Sequence, residues 1–309
     1  MTWIKQNILW RKRFYFLLAF TALLSYFYQF SALRYSDQAY IDYLNDNPFN
    51  YEATVTHYEY GDRPMRYFEL GDDRKPLIVF VHGAPSSSAF WEDLLVDSSL
   101  LKNAKLLAVD RPGYGFSGYG RPEISVRKQA EAIAPILREK RKQHDRIIIH
   151  GSSYGGTVTA RLAMDYPELI DGVLLQSASV APEKEKTYWI SYPTSHWALK
   201  WLVPGAFRVA NAEKLSHADQ LRAMAKHWQN IRSAVIVAHG TADGLIYPDN
   251  ACYAESQLSN ASFLETNMFA GRGHDLLWTK TDFLKRSLLK LLRVTKEEQG
   301  RVIGQADFQ

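Results

Sequence analysis

The chain has 309 residues, 46% of them apolar and 23% charged, with 18 Gly and 12 Pro; this is the balance of a folded globular protein and excludes collagen-like and disordered classes. The length suits one large domain or two modest ones, long enough in either case to bury a sizeable core. The net charge of +4 is concentrated in Lys5, Arg11, Lys12, Arg13 and Arg34, within an N-terminal segment free of acids. The remainder is near neutral and lacks the basic stripe that a nucleic-acid partner requires. A single cysteine, Cys252, excludes an internal disulfide framework and a Cys-rich zinc site, and it reads as a small structural hydrophobe.

Residues 14–33, between Arg13 and Arg34, carry no charge. As a helix they would cover about 30 Å, the hydrocarbon thickness of a bilayer. Trp10, Tyr15, Tyr26 and Tyr28 place rings near its ends, and the preceding cations favour a cytoplasmic N-terminus. The expectation is a single-pass signal anchor: a basic cytoplasmic segment over 1–13, a transmembrane helix over 14–33 and a linker over 34–50, with the catalytic body on the extracytoplasmic side. A cleaved signal peptide fits less well, because cutting after Ala32 or Ala39 puts Phe30 or Asp37 at the −3 position. A buried helix of a soluble protein is the third reading, since Gln29 and several hydroxyls dilute the run.

From residue 51 strand and helix patterns take turns. Thr54–Tyr58 and Met65–Leu70 alternate as half-buried strands do. Leu77–Val81, Leu106–Val109, Ile147–Ile149, Gly172–Leu175 and Ala234–Ala238 are unbroken apolar runs, expected of strands covered on both faces. Between them, Val126, Ala130, Ile133 and Leu137 share one helical face with Ser125 as N-cap, and Pro135 is expected to kink that helix. Val158, Leu162 and Ala163 mark a second helix, and Leu284, Leu288, Leu289 and Leu292 the last. Buried strands alternating with helices imply a parallel sheet in an α/β fold. The alternation breaks over 181–232, where Trp189, Trp197, Trp201 and Trp228 lie; this segment reads as a helical cap between core segments 51–180 and 233–293. The polar tail over 294–309 is expected to fray.

The chemistry concentrates in Gly151-Ser152-Ser153-Tyr154-Gly155, a G-x-S-x-G sequence that follows a buried strand and precedes a helix. Such spacing makes a sharp, strained turn with an exposed serine, and glycine is needed two residues before and after it because those positions crowd the serine backbone. Ser153 is the candidate nucleophile; Ser152 would be flanked by His150 and Tyr154 and cannot be central. A serine hydroxyl needs a base, and the base an orienting carboxylate. Of the nine histidines, His274 lies in a Gly-rich loop after the strand-like Ser262–Phe269, whereas His239 ends a strand and reads as shaping a turn. Asp243, in the loop after Ala234–Ala238, is the candidate acid, with an Asx-turn as the plainer reading; the loop after Leu175 has no carboxylate before Glu183. The backbone N–H groups of Ala84 and Tyr154 are the candidate oxyanion donors, and Pro85 has none to offer.

His82-Gly83-Ala84-Pro85, Asp110-Arg111-Pro112-Gly113-Tyr114-Gly115-Phe116-Ser117, the Ser153 turn, the Asp243 loop and Gly273-His274 follow one another as in the α/β-hydrolase fold family, and the chain resembles its serine-nucleophile, esterase- and lipase-like branch over residues 51–293. The resemblance implies an eight-stranded, mostly parallel sheet with helices on both faces, a small helical cap over the site, a structural loop at 110–117, and no cofactor or metal. Serine at 153 argues against the branches with an Asp nucleophile, the epoxide hydrolases and haloalkane dehalogenases. His82-Gly83-Ala84-Pro85-Ser86 departs from the H-G-G-P-G of proline iminopeptidases, and H-G-G-G is absent. The expected function is a serine hydrolase acting on a carboxylic ester with a hydrophobic acyl group, such as a monoacylglycerol or lysolipid. The alternatives are the same triad acting on an amide, thioester or C–C bond, and a non-catalytic binding protein that keeps the pocket. A metal-dependent hydrolase is disfavoured because no His/Asp cluster has ligand spacing.

Overall fold

Strands whose neighbours cover both faces must be apolar at every position, and the pleat then sends successive side chains into two different cores. The computed structural model, which describes residues 2–28 and 34–306, follows this rule through the centre of the sheet. Along Leu77–Val81, the side chains of Leu77, Val79 and Val81 join one hydrophobic cluster and those of Ile78 and Phe80 the other. Ile147 and Ile149 against Ile148, and Val235 and Val237 against Ile236, divide the same way.

In chain order the elements are α1 (Thr2–Tyr28), α2 (Asp37–Asn45), β1 (Thr54–Tyr60), β2 (Arg63–Leu70), β3 (Leu77–Val81), the single-turn helices α3 (Glu92–Leu95) and α4 (Ser98–Leu101), and β4 (Lys105–Asp110). Then follow α5 (Val126–Arg141), β5 (Ile147–Ser152), α6 (Tyr154–Asp165), β6 (Gly172–Gln176), α7 (Ser191–Ser195), α8 (Gly205–Met224), β7 (Ala234–Gly240), α9 (Asp249–Gln257), β8 (Phe263–Phe269), α10 (Leu276–Thr279) and α11 (Thr281–Ala306). The eight strands form one sheet in the order β1-β2-β4-β3-β5-β6-β7-β8. β2 is antiparallel to both neighbours and every other pairing is parallel. The expected eight-stranded, mostly parallel sheet is therefore present. α5, α6 and α9 contribute to the core on one face, and α2 and α11 to that on the other.

The transmembrane expectation is corrected. No helix among the described residues is long and apolar enough to cross a membrane. Residues 29–33 of the expected span lie outside the described residues. Within α1 the charge-free part begins only after Arg13; ending at Tyr28, it covers about 22 Å against a hydrocarbon core of about 30 Å. Tyr15, Thr21, Ser25, Tyr26 and Tyr28 dilute it further. The single-pass placement falls with the span, as does the membrane as a partner bound through it.

Three smaller expectations also change. The segment 34–50 contains α2, whose N-cap Ser36 accepts a hydrogen bond from the Ala39 amide and whose Tyr40 and Leu44, one turn apart, are buried. α11 continues to Ala306 with Thr295 buried, so residues 294–306 of the expected tail are helical, and residues 307–309 lie outside the described residues. Cys252 lies exposed on α9 and is no part of the core. Ser125 does cap α5, accepting from the Lys128 amide, and Pro135 sits inside that helix.

One buried carboxylate ties several of these pieces together. Asp110, at the C-terminal end of β4, accepts from Arg66 Nε at 2.7 Å and from the Ser88 and Phe116 amides at 2.8 and 3.0 Å. Arg66 is itself buried and reaches Tyr35 O and Asp37 Oδ1, which fastens the start of α2 to the sheet. Removing one member of a buried pair strands the other charge, at a cost of about 3–5 kcal/mol. Asp110→Ala is therefore expected to lower unfolding free energy by about that amount in urea titrations, and a loss below about 1 kcal/mol would refute the assignment.

Candidate active site

A nucleophilic serine must leave the strand abruptly, and the backbone at Ser153 does so. Its φ of +54° and ψ of −125° lie in a region that costs a residue with a side chain about 1–3 kcal/mol. Neighbouring contacts hold the turn: Ser153 N donates to Gln176 O at 3.0 Å, and Ser153 O accepts from the amides of Gly156 and Ser179. The flanking glycines are demanded by space. A Cβ at Gly151 would stand 2.3 Å from Thr159 Oγ1, and one at Gly155 would stand 2.2 Å from Val81 O.

Ser153 immediately precedes α6, so Tyr154 N–H is the first amide of that helix and has no intrahelical acceptor. The other candidate donor, Ala84, follows a tightly determined pair of residues. His82 is buried, and its Nε2 accepts from Arg111 N at 3.0 Å. Nδ1 must then carry the hydrogen and donates to Gly83 O at 2.7 Å. Burial, followed by the Arg111 charge, pushes the imidazole well below its ordinary value, so it stays neutral. Arg111 claims the carbonyls on this stretch as well, donating from Nε to His82 O and from Nη2 to Gly83 O.

Arg111 is held from α8. Glu213 on α8 is fully buried and binds both ends of the guanidinium, at 2.6 and 3.3 Å; Gln129 and the Tyr114 hydroxyl also donate to it. One turn along α8, His217 Nε2 lies 3.0 Å from Ser179 Oγ, and its ring packs 4.7 Å from that of Tyr154. Burial lowers His217 to about 4 and leaves it neutral. Sequence reasoning missed Glu213 and His217. The available signal was the spacing of Ala206, Val209, Glu213, His217, Leu221 and Met224, all buried on one face of α8.

Asp243 and His274 are brought together. His274 Nδ1 lies 2.7 Å from Asp243 Oδ2, while Oδ1 accepts from the Leu245 and Ile246 amides, each at 2.9 Å. The Asx-turn and the histidine contact thus coexist on opposite oxygens of one carboxylate. Burial raises the Asp243 carboxyl, but the hydrogen bond and charge of His274, with the two amides, outweigh it and hold the carboxyl below its ordinary value. His239 serves the same loop: it is buried and contacts Ile246 O at 3.0 Å. With Nδ1–H directed at Asp243, His274 keeps Nε2 as its acceptor.

Ser153, His274, Ala84 and Tyr154 line a single cavity of about 550 Å³, walled by cap side chains that include Tyr188 and Phe207. Among the described residues no hydrogen bond joins the Ser153 hydroxyl to His274 in this conformation; such bonds are often long before substrate arrives. No group of His, Cys, Asp and Glu side chains among the described residues could hold a metal ion.

A family model described as the alpha/beta hydrolase fold matches residues 76–196. An uncharacterised hydrolase of Saccharomyces cerevisiae is 29% identical over 149 residues, 45% of this chain and 49% of the relative. The chain spans about half the length of that curated relative and less of the next ones. Among solved structures, a monoacylglycerol lipase of Paleococcus ferrophilus superposes with a TM-score of 0.60 at 20% identity, covering 75% of this chain and 99% of that one. A 2-hydroxy-6-oxo-6-phenylhexa-2,4-dienoate hydrolase of Rhodococcus sp. strain RHA1 superposes with a TM-score of 0.62 at 18% identity, covering 79% and 99%.

The lowered Asp243 carboxyl has a consequence for stability. A depressed folded value stabilises the native state at pH above the ordinary 3.8, and this contribution is lost as pH falls through the lower folded value. Asp243→Asn is thus expected to be less stable than the parent near neutral pH, with the gap closing in acid. Urea titrations across that range check it, and a gap that persists unchanged below pH 3.8 would contradict it.

Proposed function

We propose, from the match of residues 76–196 to the alpha/beta hydrolase fold model and from the eight-stranded sheet, that the chain is a serine hydrolase of that fold family cleaving a carboxylic ester through an acyl-enzyme. Ser153 Oγ attacks the carbonyl carbon while His274 Nε2 takes the hydroxyl proton. Asp243 fixes the tautomer through the 2.7 Å contact at Nδ1 and stabilises the imidazolium. The amides of Ala84 and Tyr154 donate to the tetrahedral oxyanion, a contribution of about 3 kcal/mol for each such donor. Collapse expels the alcohol, which leaves with the proton from His274. Water then attacks the acyl carbonyl by the reverse use of the same groups, returning the free acid and the Ser153 hydroxyl.

The observation that carries this reading is the Asp243–His274 hydrogen bond at the wall of the cavity that the strained Ser153 enters. A hydrophobic acyl group fits the lining, where Ile190, Val203, Phe207 and Ile246 are apolar. Cleavage of an amide, thioester or C–C bond would use the same groups, and a binding protein would use the cavity alone.

Two measurements separate these. A fluorophosphonate probe is expected to label the protein at Ser153, with labelling lost in Ser153→Ala and suppressed in His274→Ala. On p-nitrophenyl esters of graded chain length, kcat of Ser153→Ala should fall by at least about 10⁴-fold. Well-folded parent protein that takes no label and turns over no ester, amide or thioester would establish the binding role instead.

A further inference from the structure

One cation faces the cavity without a counter-charge. Phe207, Ala210, Asn211, Lys214 and His217 all line it, at spacings of three, one, three and three residues, which is one face of α8. Glu213, the next residue round the helix, points instead to Arg111. Among the described residues Lys214 has no carboxylate within ion-pair distance and no hydrogen-bond acceptor; its ammonium rests 4.9 Å from the centre of the Tyr188 ring. By contrast Lys105 and Lys140, which are also partly or largely buried, both pair with Glu69.

Resting on the reading of Ser153 as nucleophile, we propose that the substrate is an ester bearing a carboxylate remote from the scissile carbonyl, and that Lys214 binds that carboxylate.

An ammonium in a mainly apolar enclosure is costly without a partner, and its surroundings press in that direction: burial lowers the Lys214 value, and the neighbouring Lys186 charge lowers it further. The carboxylates on adjacent elements are already engaged, Glu213 with Arg111 and Asp243 with His274. A carboxylate on the ligand would supply the charge that these groups do not. Lys186, 5.4 Å from the centre of the same Tyr188 ring, donates to Gly244 O and is not part of the cavity lining, so Lys214 alone meets the ligand and a single negative charge, a carboxylate, matches it. Asn211, Ser191 and Thr194 line the same cavity and supply hydrogen-bonding capacity beside the ammonium. Lys214 lies one helical turn, about 5 Å, from the His217 whose ring covers Tyr154, and a helical side chain leans toward the helix N-terminus, away from His217. The carboxylate therefore sits several bonds from the carbon that Ser153 attacks.

The test compares release of p-nitrophenolate from mono-p-nitrophenyl adipate and from its methyl ester, in which the remote charge is removed by one methyl group. The full-length parent is expected to prefer the acid in kcat/KM, and in Lys214→Met the acid-to-ester ratio should fall about tenfold, the worth of one charge-assisted contact. The loss should be carried mainly by KM. Lys214→Arg, which keeps the charge, should retain most of the preference. Titration calorimetry with monomethyl adipate on Ser153→Ala protein reads the same contact without turnover, and Kd should rise about tenfold when Lys214→Met is added. A ratio or Kd unchanged in Lys214→Met overturns the assignment, as does a parent that neither prefers the acid nor binds monomethyl adipate. Loss of fluorophosphonate reactivity would retire the hydrolase reading alone, because the calorimetric arm would still decide the site.

Discussion

The close approach of backbone to backbone at the end of β5 is the constraint on which the site depends. Two positions around Ser153 have no room for a Cβ, so the chain can turn from strand to helix within one residue. That turn does three things together: it raises the Ser153 side chain into the cavity, it presents the first amide of α6 beside it, and it leaves Tyr154 under His217. The strain at Ser153 is small beside the packing of the central strands around it, which is why the surrounding sheet can hold it.

The second half of the site is held by charge in the interior. Arg111 takes up the carbonyl oxygens of His82 and Gly83, and Glu213 reaches down from the cap to complete it. A buried ion pair adds little to stability compared with a well-packed apolar pair, but it tolerates few alternative arrangements. Here it links α8 to the loop that carries Ala84. The placement of α8 and of that loop is in this way set by one guanidinium.

Much of this was legible in the sequence because burial on both faces leaves unmistakable apolar runs, and because Gly151 and Gly155 are spaced by sterics rather than by chance. The N-terminal helix departs from expectation for a physical reason: the uncharged run is long enough by count, but its tyrosines and hydroxyls make it less apolar than a span requires. α2 was hidden by its Asp, Asn and Ser content, although Ser36 and the Tyr40–Leu44 pair are an ordinary cap and apolar face. The Arg111–Glu213 pair joins residues 102 positions apart, and no local pattern announces such a contact; only an acid on the buried side of an otherwise apolar helical stripe hints at it.

The adjacency of Glu213 and Lys214 has a consequence for how this chain can vary. Neighbouring helical residues point about 100° apart, so one serves the interior and the other the cavity only while the phase of α8 is kept. Loops before Gly205 can lengthen or shorten without altering that phase. A single residue inserted between Gly205 and Glu213 would rotate everything before it relative to the Arg111 anchor, parting Phe207 and Ala210 from the cavity face that Lys214 shares with them. Related chains should therefore keep the number of residues between Phe207 and Lys214 constant.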